Sequence, residues 1–169
     1  DRALADHRRI DALINNPGVN SARGPATEVS AEEFAAVLAV NTVGLYACCH
    51  AVLPSMIERR QGRIVNVSSG SAVMCPAEGG AYASSKAALN ALTAVLAKEV
   101  ECHNVLVNAM SPGSVRTDMN PRAPTPASEA VPTAVWLASL PEGGPTGRLY
   151  RFMRELPLLP IVEVDWSAR

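Results

Sequence analysis

Charge of one sign is what this 169-residue sequence lacks: 15 Lys and Arg stand against 16 Asp and Glu, for a formal net charge of −1. Without a basic excess, nothing in the charge recommends nucleic acid as a partner. Cysteine is scarce too. There are four, two of them adjacent at Cys48 and Cys49, and no CxxC pair occurs. A secreted-type disulfide framework and a paired-thiolate metal site are thereby excluded, and a reducing cytoplasm fits best. No basic, apolar and small-residue series opens the chain as a signal peptide would. The apolar stretches read as shorter than the roughly 20 residues that span a bilayer, so the expectation is a soluble, cytoplasmic chain with no membrane partner. Proline is rare at first, with nine of the 13 lying from Pro112 onward. That is a change of texture within one domain, and no internal repeat accompanies it. At 48% hydrophobic and 18% charged residues the chain is too apolar for disorder. Its length suffices for a single domain that buries roughly two-thirds of its unfolded surface.

Apolar runs and chain breakers alternate along the sequence. Ala3 to Arg9 reads as the end of a helix, and Asp11 to Asn15 as a strand stopped by Asn16-Pro17-Gly18. Ser30 with Glu33 forms a capping box. Phe34, Val37, Leu38, Asn41, Leu45 and Cys48 then recur at helical spacing, which predicts one long helix to about Arg60. Arg63 to Val67 is a β-branched strand closed by Ser68-Ser69-Gly70. Tyr82 to Val100 is a helix, and Val105 to Ala109 a third strand ended by Ser111-Pro112-Gly113. A helix from Ser128 to about Leu140 and a strand within Gly147 to Phe152 complete the pattern. Strands alternating with helices imply βαβ units, and unbroken apolar strands imply a sheet covered on both faces. The fold class is therefore α/β, a three-layer, doubly wound parallel sheet. Ligands of such sheets sit beyond the carboxyl ends of the strands. This directs attention to the loops Asn15–Gly18, Ser68–Ser71 and Ser111–Thr117.

Chemistry concentrates at Tyr82-Ala83-Ser84-Ser85-Lys86. Tyr and Lys four apart share one helix face. An ammonium beside a phenol favours the phenolate, so the expectation is a Tyr82 pKa brought down from about 10 toward the working range of a proton donor. The same spacing also arises where a half-exposed Tyr packs over a Lys stem. Ser69, thirteen residues before Tyr82, stands at the end of the preceding strand; it reads as a carbonyl-binding hydroxyl or as a plain loop serine, with Ser68 and Ser71 as competitors. Cys48-Cys49-His50 diverge around a helix, which favours core packing over a metal site, and no metal site is expected. His103 reads as a solvated helix cap, and Arg148, Arg151 and Arg154 as a solvated basic cluster.

Taken in order, Asn15-Asn16-Pro17-Gly18, Asn41, Ser69, Tyr82 with Lys86, and Pro112-Gly113-Ser114-Val115-Arg116-Thr117 resemble the short-chain dehydrogenase/reductase family. The resemblance covers about Ile10 to Phe152. The closing Trp136-Leu137-Ala138 and Gly144-Pro145-Thr146-Gly147 resemble its carbonyl-reductase-like members. The family implies a Rossmann-like fold and a nicotinamide cofactor, NADP or NAD, with NADP favoured by analogy. It implies Tyr82 as general acid in carbonyl reduction, Ser69 as holder of the carbonyl oxygen, Lys86 as ligand of the ribose hydroxyls, and Asn41 as anchor of a water beside Lys86. Asn15 and Gly18 correspond to the turn that contacts the adenosine side and supports the central strand, and Pro112, Gly113, Val115 and Thr117 to the loop that meets the nicotinamide amide. Pro17 departs from the usual Ala and removes a backbone N–H, a change expected to weaken cofactor affinity. The family places two βα units and a glycine-rich turn before the Asn15 turn. At about 30 residues per unit, roughly 60–70 residues would precede this chain, which reads as the C-terminal two-thirds of such a domain, truncated at the N-terminus. An inactive relative serving as an interaction or regulatory module is the alternative. The family further implies a homodimer or homotetramer for the complete protein. Only Asp118 to Ala127, stiffened by Pro121, Pro124 and Pro126, could cover the substrate, so the site should be open. The tail from Leu156 to Arg169 matches no motif.

Overall fold

The computed structural model describes His7 and residues 9–159. The helix end read over Ala3 to Arg9 falls mostly outside these residues, as does the tail after residue 159. Strand β1 spans Ala12–Asn15. Helix α1, Ala31–Leu38, starts at the capping box read from the sequence: Glu33 N donates to Ser30 Oγ (3.1 Å) and Ser30 N to the Glu33 carboxylate (2.9 Å). The long helix is not regular. A π-helical stretch, Ala39–Gly44, separates α1 from α2, Leu45–Glu58. Strand β2 covers Gly62–Val67, a short α3 covers Ser71–Met74, and α4 runs Gly80–Glu99. Strand β3 is Val105–Met110, and two-residue strands β4 (Val115–Arg116) and β5 (Thr125–Pro126) pair with each other. Helix α5 spans Val131–Ala138, after a 3-10 turn at Ala127–Ala130; β6 is Leu149–Arg151 and β7 Arg154–Leu156.

The main sheet has the order β1-β2-β3-β6-β7. Its first three junctions are parallel, with Asn15 opposite Asn66 and Val67 opposite Met110 in register. One face sets Ile64, Val105 and Val107 against Leu45, Cys49, Val52 and Met56 of α2 and Leu89 and Leu96 of α4. The opposite face sets Val65, Leu106 and Met110 against Leu137, Leu140 and Tyr150, with Trp136 edge-on to Tyr150 at 4.9 Å. These are the three expected layers. Every residue of β3 is buried, as a strand covered on both faces must be. Gly62 is dictated by packing: a Cβ there would lie 2.8 Å from Met56 Cβ and 2.6 Å from Met56 Cγ.

Two expectations are corrected. The sheet is not wholly parallel, because β7 runs antiparallel to β6. The hairpin escaped the sequence reading because its tip, Phe152-Met153, has none of the Gly or Asn that marks such turns, although both residues adopt positive φ (49° and 59°). The apolar runs are also longer than read. The helical segment Ala31–Glu58 has 28 residues and a window of mean hydropathy 1.7, long and apolar enough by length and composition to cross a membrane. Asn41, Thr42, His50 and Ser55 are polar interruptions within it. In the fold one side of α2 packs on the sheet.

Candidate active site

Backbone topology brings the three expected loops to one place. At the carboxyl ends of β1, β2 and β3 lies a cleft of about 410 Å³, walled by Asn16–Gly18, Val67–Ser69, Tyr82 and Lys86, and the loop from Pro112 to Asn120. Of the expected site residues, Gly18, Ser69, Tyr82, Lys86, Pro112, Gly113, Val115 and Thr117 line it; Asn15 and Asn41 do not.

The three competing serines separate cleanly. Ser68 is buried, and its hydroxyl donates to Asn90 Oδ1 at 2.6 Å. Asn90 in turn donates to the Leu158 carbonyl (2.8 Å), which ties the described part of the tail beside the cleft floor. Ser71 lies outside the cleft, and its backbone N–H donates to Ser69 Oγ (3.2 Å). Ser69 lines the cleft together with Tyr82, and its hydroxyl is the one that favours the Tyr82 phenolate.

Lys86 is 2% exposed, yet it has no carboxylate partner among the described residues. Its ammonium donates to the Pro17 carbonyl (2.9 Å) and the Val67 carbonyl (2.8 Å), and burial lowers its pKa from 10.5 to about 8. Pro17 therefore contributes through its carbonyl, which a proline retains. The expected effect of Lys86 on Tyr82 is corrected. Burial holds the phenol above its ordinary pKa, and the neighbouring Ser69 hydroxyl offsets only part of this. The reason is geometric: two of the ammonium's protons are directed at carbonyls, and Nζ sits over the Tyr82 ring, 5.7 Å from its centroid. Tyr82 is thus a protonated phenol at neutral pH, the form that can give a proton away.

Asn41 and Asn15 act from behind the cleft. Asn41, in the π-helical stretch, accepts from Val19 N and donates to Val19 O, both at 2.9 Å, and donates to Ser85 Oγ at 3.0 Å. Ser85 donates to the Tyr82 carbonyl (2.7 Å), so Asn41 couples the loop after β1 to the helix turn that carries Tyr82 and Lys86. The Asn15 side chain turns into the core, donating to Asn66 Oδ1 (3.0 Å) and the Cys49 thiol (3.3 Å). Asn66 continues the relay to Thr93 Oγ1 at 3.0 Å. The Asn15 side chain thus supports the central strands, where in-register neighbours on β1 and β2 satisfy one another.

The third wall is held by its own turns. Thr117 and Asn120 exchange backbone hydrogen bonds, β4 pairs with β5, and Arg116 donates to the carbonyls of Ala123 and Pro124. Met119 reaches toward Gly18, where a Cβ would meet its methyl at 3.7 Å. Asp118, Met119 and Asn120 line the cleft without having been singled out in the sequence; their only signal is that they follow Thr117 directly. Ser85 and Asn90 escaped because small polar residues on a helix carry no mark of which face is buried. Neither Cys48-Cys49-His50 nor any other group of three His, Cys, Asp or Glu among the described residues could hold a metal.

An ammonium has three N–H donors, and the carbonyls of Pro17 and Val67 use two. The remaining one suits a hydroxyl ligand at the cleft floor. A buried cation without a counter-charge, a phenol and a hydroxyl side by side, and the Thr117 hydroxyl on the opposite wall fit the nicotinamide–ribose end of a dinucleotide.

Comparison with known proteins agrees. The family model for short chain dehydrogenase matches residues 1–127. The chain is 36% identical over 140 residues to the 3-oxoacyl-(acyl-carrier-protein) reductase FabG of Chlamydia pneumoniae, covering 83% of this chain and 54% of that protein. It is 38% identical over 162 residues to the oxidoreductase UcpA of Salmonella typhimurium, covering 90% and 61% respectively. The crystal structure of NAD+-bound xylitol dehydrogenase superposes with a TM-score of 0.82 at 27% identity, over 89% of this chain and 70% of that one. The chain thus spans between half and two-thirds of the length of these curated relatives. With the fold, the order of the motifs and the sequence match in agreement, the chain belongs to the short chain dehydrogenase family.

Proposed function

We propose that the protein catalyses NAD(P)-dependent reduction of aldehydes and ketones, or the reverse oxidation of secondary alcohols, with Tyr82 as proton donor. The observation that carries this is the meeting of a protonated Tyr82 phenol, the Ser69 hydroxyl and the Lys86 ammonium at one cleft. A nicotinamide cofactor supplies or accepts the hydride when bound. The Ser69 hydroxyl orients the carbonyl oxygen, and the Tyr82 O–H transfers its proton to that oxygen as negative charge develops there. The phenolate left behind keeps the Ser69 hydroxyl, which favours the charged form, as its stabilising neighbour. In the oxidative direction the same phenolate takes the alcohol proton. Lys86 would also hold the ribose hydroxyls through its remaining N–H, and Val115 and Thr117 the carboxamide. NADPH is favoured by analogy with the carbonyl-reductase-like closing segment.

The short, self-paired stretch from Thr117 to Pro126 leaves no long lid, which supports an open site that accepts small or aromatic carbonyl compounds with little discrimination. A methylene in an apolar pocket separates substrates by only about 1–3 kcal/mol. The test is a panel of aldehydes, ketones, diketones and steroids assayed with the complete protein and with NADPH and NADH. Tyr82→Phe should abolish turnover with unchanged circular dichroism, and near-normal turnover in that variant refutes the mechanism. A preference beyond about a thousandfold, roughly 4 kcal/mol, for one member refutes the breadth.

Assembly is part of the same reading. Val40, Val43 and Tyr46 on the long helical segment and Val95 on α4 are 44–62% exposed, more apolar surface than a lone copy needs there, which supports a homodimer or homotetramer. A single monomeric species in sedimentation at micromolar concentration would remove that claim alone. Four free cysteines, three of them exposed, support a cytoplasmic setting.

A further inference from the structure

We infer that Arg151 and Phe152, at the end of the β6–β7 hairpin, are positioning residues that hold the Pro112–Gly113 turn, and through it Val115 and Thr117, in shape. The inference rests on the reading of that loop as a wall of the cofactor cleft. Its starting point is a local misfit. Arg151 pairs with Arg154 across a two-residue turn, and both turn residues, Phe152 and Met153, have positive φ. Asn and Gly are the residues that tolerate this geometry. Side chains kept in a disfavoured conformation point to a use for those side chains.

The use is visible on the other side of the contact. Gly113 has φ +78°, and a Cβ there would fall 3.0 Å from both Nε and a terminal nitrogen of Arg151, and 3.2 Å from the Phe152 ring. The guanidinium and the ring therefore fill the space that Gly113 leaves free. They also brace each other, with the Arg151 cation 5.7 Å from the Phe152 ring centroid, and Arg151 has no carboxylate partner among the described residues. Arg148, Arg151 and Arg154 are all exposed, as read from the sequence; within that solvated group Arg148 pairs with Glu155 at 2.9 Å and Arg151 lies against the turn.

The hairpin cannot easily swing away. Ser111 N donates to the Tyr150 carbonyl (2.8 Å), and Met153 N donates to the hydroxyl of Thr133, a buried residue of α5 (3.1 Å). From the turn onward, Val115 N donates to the Gly113 carbonyl (3.1 Å), so a shift at Gly113 passes directly to the residues that follow. A continuous set of contacts thus runs from α5 through the hairpin to the cleft wall.

Amide hydrogen exchange on the full, cofactor-free chain tests this without using turnover. Phe152→Gly removes the ring while relieving the left-handed strain, so it should leave the melting temperature unchanged or raised. The Val115 and Asn120 amides should nevertheless exchange at least fivefold faster, and at least tenfold faster in Arg151→Ala/Phe152→Gly, while the Val107 and Ala109 amides in β3 keep their rates. Rates at Val115 and Asn120 within twofold of the parent, or a uniform acceleration that includes β3, would overturn the inference. Gly113→Ala supplies a second test: it should lower the melting temperature more in the parent than in Arg151→Ala/Phe152→Gly, where the added methyl finds room, and equal losses would overturn the inference. Titration of the complete protein with NADPH keeps the two readings apart, because absent binding there would count against the proposed function while the exchange rates still decide the role of the hairpin.

Discussion

Raising the pH through the alkaline range should act on two buried groups in opposite senses. Burial lowers the Lys86 ammonium from 10.5 to about 8 and raises the Cys49 thiol from 9.0 to about 11. Between pH 8 and 10.5 the unfolded chain keeps the Lys86 proton that the folded chain has shed, so stability from this group rises with pH. Between pH 9 and 11 the folded chain keeps the Cys49 proton that the unfolded chain has lost, so stability from this group falls. At about 1.4 kcal/mol per pH unit, each contribution amounts to roughly 3 kcal/mol. For Lys86 that is a ceiling, because the Pro17 and Val67 carbonyls favour the ammonium. The two slopes offset each other in the parent between pH 9 and 10.5. Lys86→Met should expose the fall due to Cys49, and Cys49→Ala the rise due to Lys86. Both variants lose pH-independent packing or hydrogen bonds as well, so the slope carries the information and the offset does not. Titration of Tyr82 and Tyr150, both raised by burial, is common to all three proteins and cancels in the differences. The assay is urea unfolding in half-unit steps from pH 7.5 to 11. Parallel pH curves for the three proteins would refute the reasoning.

Two further outcomes concern the frame behind the cleft. Asn66→Val should lower stability by about 1–3 kcal/mol in urea unfolding, because the buried Asn15 amide keeps only the weak Cys49 sulfur as acceptor; adding Asn15→Val should recover much of the loss, since no orphaned donor then remains. Gly62→Ala should cost about 1–3 kcal/mol by overpacking against Met56, read as a lower urea midpoint at unchanged m-value.

Much of the scaffold was legible because its signals are local. Unbroken apolar runs marked β1, β2 and β3, Ser30 and Glu33 marked the start of α1, and Gly or Pro pairs marked the loops that became the cleft. Spacing favoured Ser69 over its neighbours, and in the structure the Ser68 hydroxyl is turned to Asn90. Elements without a local signature were missed. The β6–β7 hairpin turns on Phe152-Met153, whose left-handed backbone is imposed by contacts rather than by residue type. The π-helical stretch around Asn41 keeps the apolar spacing of a plain helix, so periodicity could not reveal it.

What the sequence by itself determined, then, is which side chains are available and roughly where the chain turns, since both depend on residues within a few positions of one another. The state and direction of those side chains were decided only by the tertiary structure. Tyr82 and Lys86 are four residues apart on any helix, but burial and the carbonyls of Pro17 and Val67, 69 and 19 residues from Lys86 in the chain, leave the phenol protonated and place the ammonium over its ring. Asn15 lies beside the cleft in sequence and inside the core in space, because its register partner Asn66 takes up its hydrogen bond. Desolvation and register are properties of the assembled sheet, and no local pattern encodes them.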